Sequence, residues 1–206
     1  MRRAGALCLA GALVVPGAAR AHAFATGRDA YGNFLEGAGV ALGSPGLLLP
    51  VLALAVMLGL WRREGLLKAW PHALAGSLIG LALAPLAGPW VATALLGIGL
   101  VLAALAALVP PGRIAPALPW LAALTAAIVL AAALEGHGFA EIPNATRVGL
   151  LFGVHFALSA GAGLVRYTRD RIAHPVTDIG WRVAASWLAA ILVLYLAFTV
   201  AGPGVA

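Results

Sequence analysis

Twenty consecutive residues, 42–61, contain no titratable side chain at all: LGSPGLLLPVLALAVMLGLW. An α-helix needs about 20 apolar residues to cross the roughly 30 Å hydrocarbon core of a bilayer. In that core every backbone amide must find its partner within the protein, so a single apolar run of this length folds as a helix. The rest of the chain agrees, because 63% of its 206 residues are hydrophobic and only 10% are charged. The sequence therefore predicts an all-α integral membrane protein.

Apolar runs of similar length follow one another along the chain and predict a compact bundle of about six transmembrane helices. The predicted spans are residues 45–61, 71–87, 89–108, 119–134, 147–165 and 184–201. The second and third spans are separated by a single residue, so we expect them to form a tight helical hairpin. Small residues recur every four positions in two spans and predict close helix packing there: Gly76, Gly80, Gly149, Gly153, Ala157 and Gly161.

The amino terminus has the pattern of a cleavable secretory signal, which we assign to residues 1–21. Arg2 and Arg3 precede an apolar run that is too short for a span, and small residues follow it in the sequence ARAHA. Cleavage after Ala21 would leave His22 as the new amino terminus, where its imidazole and the free amine could bind a metal together. Cleavage after Ala23 would remove it. After the signal, residues 22–206 form one transmembrane domain. An uncleaved first helix is the alternative.

The basic residues predict which side of the membrane each loop occupies. If the amino terminus is exported, the outer loops keep only Arg28 and Arg147. The inner loops then carry eight basic residues: Arg62, Arg63, Lys68, Arg113, Arg166, Arg169, Arg171 and Arg182. This asymmetry predicts a bacterial inner-membrane protein with a periplasmic mature amino terminus. The charges form no contiguous patch, so we expect the lipid bilayer and no nucleic acid as partner. Five tryptophans at span ends predict an interfacial belt: Trp61, Trp70, Trp90, Trp120 and Trp181.

His155 is the ionisable residue nearest the middle of a predicted span. Ionisable groups are costly within a bilayer, so such a residue is a place to look for function. It lies roughly opposite the stripe of small residues on its helix at 100° per residue. Two interpretations remain open: a metal ligand or proton relay, and a neutral histidine hydrogen-bonded to a neighbouring helix.

A second group of candidate ligands lies in the sequence LEGHGFAEIP, where the fourth span ends. It contains Glu135, His137 and Glu141, whose nitrogen and oxygen atoms suit divalent nickel, cobalt or zinc. Residues two apart cannot share one helix face, so a joint site requires the helix to have ended by then, as the neighbouring glycines allow. A cation site and a hydrogen-bonded helix end are both consistent with this pattern.

Other acidic residues and motifs add little chemistry. Asp29 and Glu36 precede the first span, as solvated charges or as an acidic collar at an entrance. The sequence contains no serine nucleophile elbow, phosphate-binding loop or paired-cysteine motif, and no acid, nucleophile and base at catalytic spacing. We therefore expect no enzyme activity and no firmly bound cofactor.

Three segments together resemble the HupE/UreJ family of small bacterial membrane proteins, regarded as nickel or cobalt permeases. They are FLEGAGVALGSPGLLLPVLALAVMLGLW, the turn LEGHGFAEIP and the final IGWRVAASWLAAIL. The family's first span opens with H-P-x-x-x-x-D-H, which falls on Ser44, Pro45, Pro50 and Val51, so three polar ligands are replaced. In the fourth span the family shows H-G-x-A-H-G and then a glutamate. Ala133 replaces the first histidine, His137 and Gly138 match the second pair, and Glu141 fits after a shift of one residue.

The resemblance implies a secondary transporter of a divalent cation of the nickel or cobalt class with a degenerate metal site. Its reduced ligand set would be His137, His155, Glu135 and Glu141, with His22 at the outer mouth, and the metal would be its cargo. The alternative is a non-transporting membrane scaffold or accessory subunit that binds a partner protein. The loss of the first-span ligands favours that alternative.

Overall fold

The computed structural model describes residues 29–138 and 140–201, with the side chains of residues 111 and 112 left out. Within these ranges the chain is all-helical and contains no strand, which confirms the expected all-α fold. The seven α-helices are α1 (Ala30–Gly43), α2 (Pro45–Trp61), α3 (Gly65–Leu83), α4 (Trp90–Leu108), α5 (Leu118–Ala133), α6 (Asn144–Arg171) and α7 (Pro175–Ala201). The predicted signal peptide, its cleavage sites and His22 lie outside the described residues.

Helix α2, the span without titratable side chains, is the centre of the bundle. Eleven of its seventeen residues are buried, and they occupy all sides of the helix. It contacts every other helix that the structure describes. A helix that is apolar all round belongs in the interior of a fold rather than on its surface. The composition of this stretch is therefore explained by its central position.

Helix α1 was not predicted from the sequence, which left residues 30–43 without a helix. Asp29 is its N-cap, and the carboxylate accepts a hydrogen bond of 2.7 Å from the Gly32 amide. The helix ends at Ser44, where the chain bends by 69° into α2. Asp29 therefore caps a helix that packs along α6.

The glycine stripes bring pairs of helices into backbone contact, as predicted. A Cβ atom built on Gly149 would lie 2.0 Å from the Phe34 carbonyl oxygen of α1. Built on Gly76, it would lie 2.0 Å from the Ala123 oxygen of α5. Only glycine permits so close an approach. These contacts define two tight pairs, α1 with α6 and α3 with α5.

The predicted hairpin between the second and third spans is wrong. A short turn does join α3 to α4, but the two helices barely touch, because α3 packs on α5 while α4 packs on α7 and α2. The reason lies in the small residues of α3. Gly76 and Gly80 match the backbone around Ala123 and Ala127 of α5, and α4 offers no comparable surface to that face.

Four helices in the described ranges are long and apolar enough to cross a membrane, and a fifth span results if the bent pair α1 and α2 is counted as one. Helix α5 is apolar but has only 16 residues. Helices α6 and α7, with 28 and 27 residues, extend well beyond the predicted spans. The chain thus has the architecture of an all-helical, multi-pass membrane protein, with fewer unambiguous spans than the six expected.

Arg169 ties three helices together at one end of the bundle. Its guanidinium donates to the carbonyl oxygens of Gly59 and Leu60, both at 3.1 Å, at the end of α2. It also forms two hydrogen bonds to the carboxylate of Asp178 in the first turn of α7. We call this end, formed by the last turns of α2 and α6 and the first turns of α7, the basic end. Arg147, at the start of α6, lies at the opposite end.

Candidate functional site

His155 is held inside the bundle by two side chains of α3. Only 8% of its surface is exposed, and it is the only titratable residue in the buried class among the residues described. Its Nδ1 atom accepts a hydrogen bond of 2.8 Å from the indole Nε1 of Trp70. Its Nε2 atom lies 3.1 Å from the hydroxyl oxygen of Ser77. His155 thus joins α6 to α3.

The chemistry of the indole assigns the tautomer of this histidine. An indole N–H is only a donor, so the Nδ1 atom of His155 must carry a lone pair. A neutral imidazole has one donor and one acceptor nitrogen, and its proton is therefore on Nε2. The Nε2–H group then donates to the Ser77 hydroxyl, which can accept it. Both ring nitrogens are thereby engaged.

This arrangement is the one that the second interpretation of His155 predicts. A metal ligand needs a free lone pair on one ring nitrogen, and here the lone pair on Nδ1 faces the N–H of Trp70. Cation binding at this ring would first require the indole to move away. As the structure stands, His155 is an interhelical hydrogen-bonding residue in an apolar bundle.

Trp70 is the residue of this group that sequence reasoning missed. The belt of interfacial tryptophans was sufficient to explain it, and 45% of its surface is indeed exposed. Its indole nevertheless reaches inward, with its ring in edge contact with the imidazole at 6.1 Å between centroids. A signal was present, because Trp70 and Ser77 are seven residues apart and so share one face of α3.

The outer group, Glu135, His137 and Glu141, lies in the turn after α5. The helix ends at Ala133 and Gly136 has a φ of 77°, so the expected unwound segment is confirmed. The Nδ1 atom of His137 lies 3.1 Å from the backbone oxygen of Glu135. The carboxylate of Glu141 accepts a hydrogen bond of 2.8 Å from the Gly138 amide. These contacts stabilise the turn itself.

A small cavity adjoins His137 between α3, the turn and the start of α6. Its volume is about 10 Å³, and its lining includes Leu81, Ala84 and Arg147. This space is about that of one water molecule.

The two histidines do not share a site. Arg147 lines the cavity of His137, and His155 lies eight residues further along α6, about 12 Å at 1.5 Å per residue. A shared cation would need both nitrogens at about 2.0 to 2.2 Å from it. Over residues 29–138 and 140–201, no group of three or more His, Cys, Asp or Glu side chains is arranged to hold a metal ion. Glu36 lies on α1, outside either group.

The positions that align with the first-span ligands of the HupE/UreJ family lie at the bend and in the core. Ser44 occupies the junction of α1 and α2. Pro50 is buried against Gly99 of α4. A Cβ atom built on Gly99 would lie 2.8 Å from the Cβ atom of Pro50. Val51 is 3% exposed. Proline and valine side chains offer no ligand atom, so this part of α2 contributes packing alone.

The fold and these sites define a class: an all-helical protein with several apolar helices and a hydrogen-bonded histidine between two of them. In comparisons with known proteins, no family model, no curated protein and no solved structure matches this chain.

Proposed function

We propose that this protein is a HupE/UreJ-like membrane scaffold or accessory subunit, which holds a partner protein at the membrane and does not itself transport metal. In this proposal residues 1–21 are a signal peptide, the six apolar segments all cross the bacterial inner membrane, and the mature amino terminus is periplasmic. The chain has no catalytic role and no nucleic-acid partner.

One observation carries the proposal, namely that His155 uses both ring nitrogens to join α6 to α3. A transport path for a cation through the bundle needs polar atoms that the cation can reach. A cation reaches the Nδ1 lone pair only if the Trp70 indole moves away, and Nε2 carries the proton that faces Ser77. Central helix α2 offers no replacement, because its buried residues are apolar throughout. Around His155 and along α2 the interior thus serves packing.

The test of the scaffold proposal is recovery of a partner protein from the membrane. We expect the protein, crosslinked in membranes and extracted in a mild detergent, to carry one partner in a fixed ratio measured by quantitative mass spectrometry. Gly149→Ala, which forces α1 from α6, should reduce recovery of the partner, whereas Gly163→Ala should not, because a Cβ atom there meets open space. A protein that remains alone after crosslinking contradicts the proposal.

A secondary transporter for nickel or cobalt is the second candidate, and the outer turn favours it. Glu135, His137 and Glu141 are within seven residues of one another at the end of the bundle opposite the basic end. In this alternative they bind the cation at the entrance, with His22 and His155 as further ligands.

Uptake of labelled nickel into proteoliposomes separates the two functions. Transport predicts uptake above that of empty liposomes and a loss with His137→Ala. His72→Ala is the matched control, because His72 lies on α3 against Trp120, away from the turn. The scaffold proposal predicts uptake equal to empty liposomes for all three proteins.

A further inference from the structure

A long apolar groove runs between α6 and α7 on the surface of the bundle. Helix α7 packs mainly on α4 and hardly on α6, so the two helices leave a cleft that is closed at its base by α2. The cleft has a volume of about 590 Å³, and its walls include Leu52, Val56, Leu164 and Trp187. Gly180 lines it and has open space where a side chain would begin. The groove therefore has two causes: α6 and α7 make few contacts, and α7 has a glycine where a side chain would fill the space.

The length of the groove corresponds to half a bilayer. Along α7 it extends from Gly180 to Ile191, which is about 16 Å at 1.5 Å per residue. The hydrocarbon core is about 30 Å thick, so one leaflet contributes about 15 Å. An extended acyl chain of one leaflet therefore spans the groove from end to end.

A separate polar cavity lies next along α6 and α7, at the basic end. It has a volume of about 260 Å³ and is lined by Arg166, Arg169, His174, Thr177 and other residues of the turn between α6 and α7. The cavity and the groove have no lining residue in common, but their linings follow one another along both helices, from Leu164 to Arg166 on α6 and from Asp178 to Gly180 on α7. Residues 166–182 contain four arginines and two aspartates, which leaves this segment with an excess of positive charge.

We propose that this groove binds one anionic phospholipid, with an acyl chain between α6 and α7 and the phosphate at Arg166. The excess positive charge of the segment favours a headgroup with a net negative charge over a zwitterionic one. Trp181 lines the groove at its end nearest the basic end, where an indole suits the boundary of headgroup and chain. Its N–H already bonds Thr168 at 2.7 Å, which fixes the ring as part of the wall.

Arg166 is the arginine of this cavity that can exchange its present partner for a phosphate with little loss of stability. It pairs with Asp170 one turn away on the same helix, and the two side chains are 30% and 45% exposed. An exposed ion pair of this kind contributes little to stability, so a phosphate competes with it easily. Arg169 is different, because it is bound to Asp178 and to two carbonyls of α2. A phosphate accepts two parallel hydrogen bonds from one guanidinium. A zwitterionic lipid offers the same phosphate together with a cationic group, which the surplus arginines of residues 166–182 disfavour, so the site prefers an anionic lipid.

The experiment uses the full chain in mild detergent with an equal mixture of phosphatidylglycerol and phosphatidylcholine, and native mass spectrometry counts the lipids that each protein retains. We expect one phosphatidylglycerol per protein. Ala184→Trp fills the groove and should abolish retention. Ala190→Trp places the same ring on an exposed position outside the groove and should leave retention unchanged.

A second pair of variants tests the headgroup at constant net charge. Arg166→Gln with Asp170→Asn should reduce the preference for phosphatidylglycerol about tenfold, the factor expected from one charge-assisted hydrogen bond. Arg63→Gln with Glu64→Gln removes the same charges from exposed positions at the same end and should change nothing.

Four results would overturn the proposal. They are equal retention of both lipids by the unaltered protein, unchanged retention with Ala184→Trp, an equal loss of preference in the Arg63 and Glu64 control, and a dimer without lipid that Ala184→Trp separates into monomers. The last result would show that a second copy of the chain fills the groove.

Discussion

Gly149→Ala should strongly weaken the contact between α1 and α6. The new Cβ atom would lie 2.0 Å from the Phe34 carbonyl oxygen, 2.9 Å from its carbon and 3.0 Å from the Ala38 amide nitrogen. These are backbone atoms and cannot turn aside, so α1 must retreat by about 1 Å before the contact is tolerable, and overpacking of this kind costs about 1 to 3 kcal/mol. The loss of the close backbone approach along the whole pair adds to this cost.

The matched control is Gly163→Ala on the same helix, where a Cβ atom meets nothing within 4 Å. There the change gains up to about 1 kcal/mol from helix propensity. The assay is equilibrium unfolding of the purified protein in micelles with increasing sodium dodecyl sulfate, followed by circular dichroism. Both changes gain the same helix propensity and only the first overpacks, so we expect Gly149→Ala to be less stable than Gly163→Ala by about 1 to 3 kcal/mol. If both variants unfold at the same fraction of sodium dodecyl sulfate, the backbone contact between α1 and α6 does not exist as described.

Three further changes test other contacts in the same way. Trp70→Phe removes the donor to His155 Nδ1 and should lower the free energy of unfolding by about 0.6 to 2 kcal/mol in the micelle titration. Nitrogen NMR should also show that the imidazole no longer has a single tautomer. An unchanged spectrum would contradict the assignment. Arg169→Gln frees two carbonyls at the end of α2, so hydrogen exchange in the last turn of that helix should become faster, and equal rates would refute the proposed role. Gly136 has a φ of 77°, so Gly136→Ala should cost about 1 to 2 kcal/mol, more than Gly138→Ala; the reverse order would contradict the described turn.

The central helix shows what hydropathy predicts well. Pro45–Trp61 was expected with the same bounds that the structure has. A proline at the first helical position and an arginine pair after the last one mark both ends. The ends of α6 and α7 were predicted less well, because their polar first or last turns are still helical beyond the apolar window. Hydropathy locates the hydrocarbon layer, and a helix does not have to end where that layer does.

Which helices become neighbours could not be predicted from apolar runs that resemble one another. The short turn between α3 and α4 suggested a hairpin, yet the glycines of α3 match α5. Helix α1 was not predicted because it is only moderately hydrophobic. It is stabilised by its contact with Gly149 and Gly153 of α6. Such matches depend on the register of two distant segments.

The candidate site was half predictable. His155 was singled out because it is ionisable within a span, and the option of a neutral, hydrogen-bonded ring was among the two interpretations. Its partners Trp70 and Ser77 were not foreseen, since each has an ordinary explanation on its own, as an interfacial ring and as a small polar residue. Only the packing of α3 against α6 brings them to the imidazole.

The central position of α2 also bears on how the protein suits its membrane. With 17 residues it is about 25 Å long, short of the roughly 30 Å that lipid tails occupy. A short helix that touches lipid must thin the bilayer around it, but α2 is surrounded by other helices and does not impose this hydrophobic mismatch. The long outer helices α6 and α7 set the thickness that the surrounding lipids meet. The short length of α2 therefore does not by itself require the surrounding bilayer to thin.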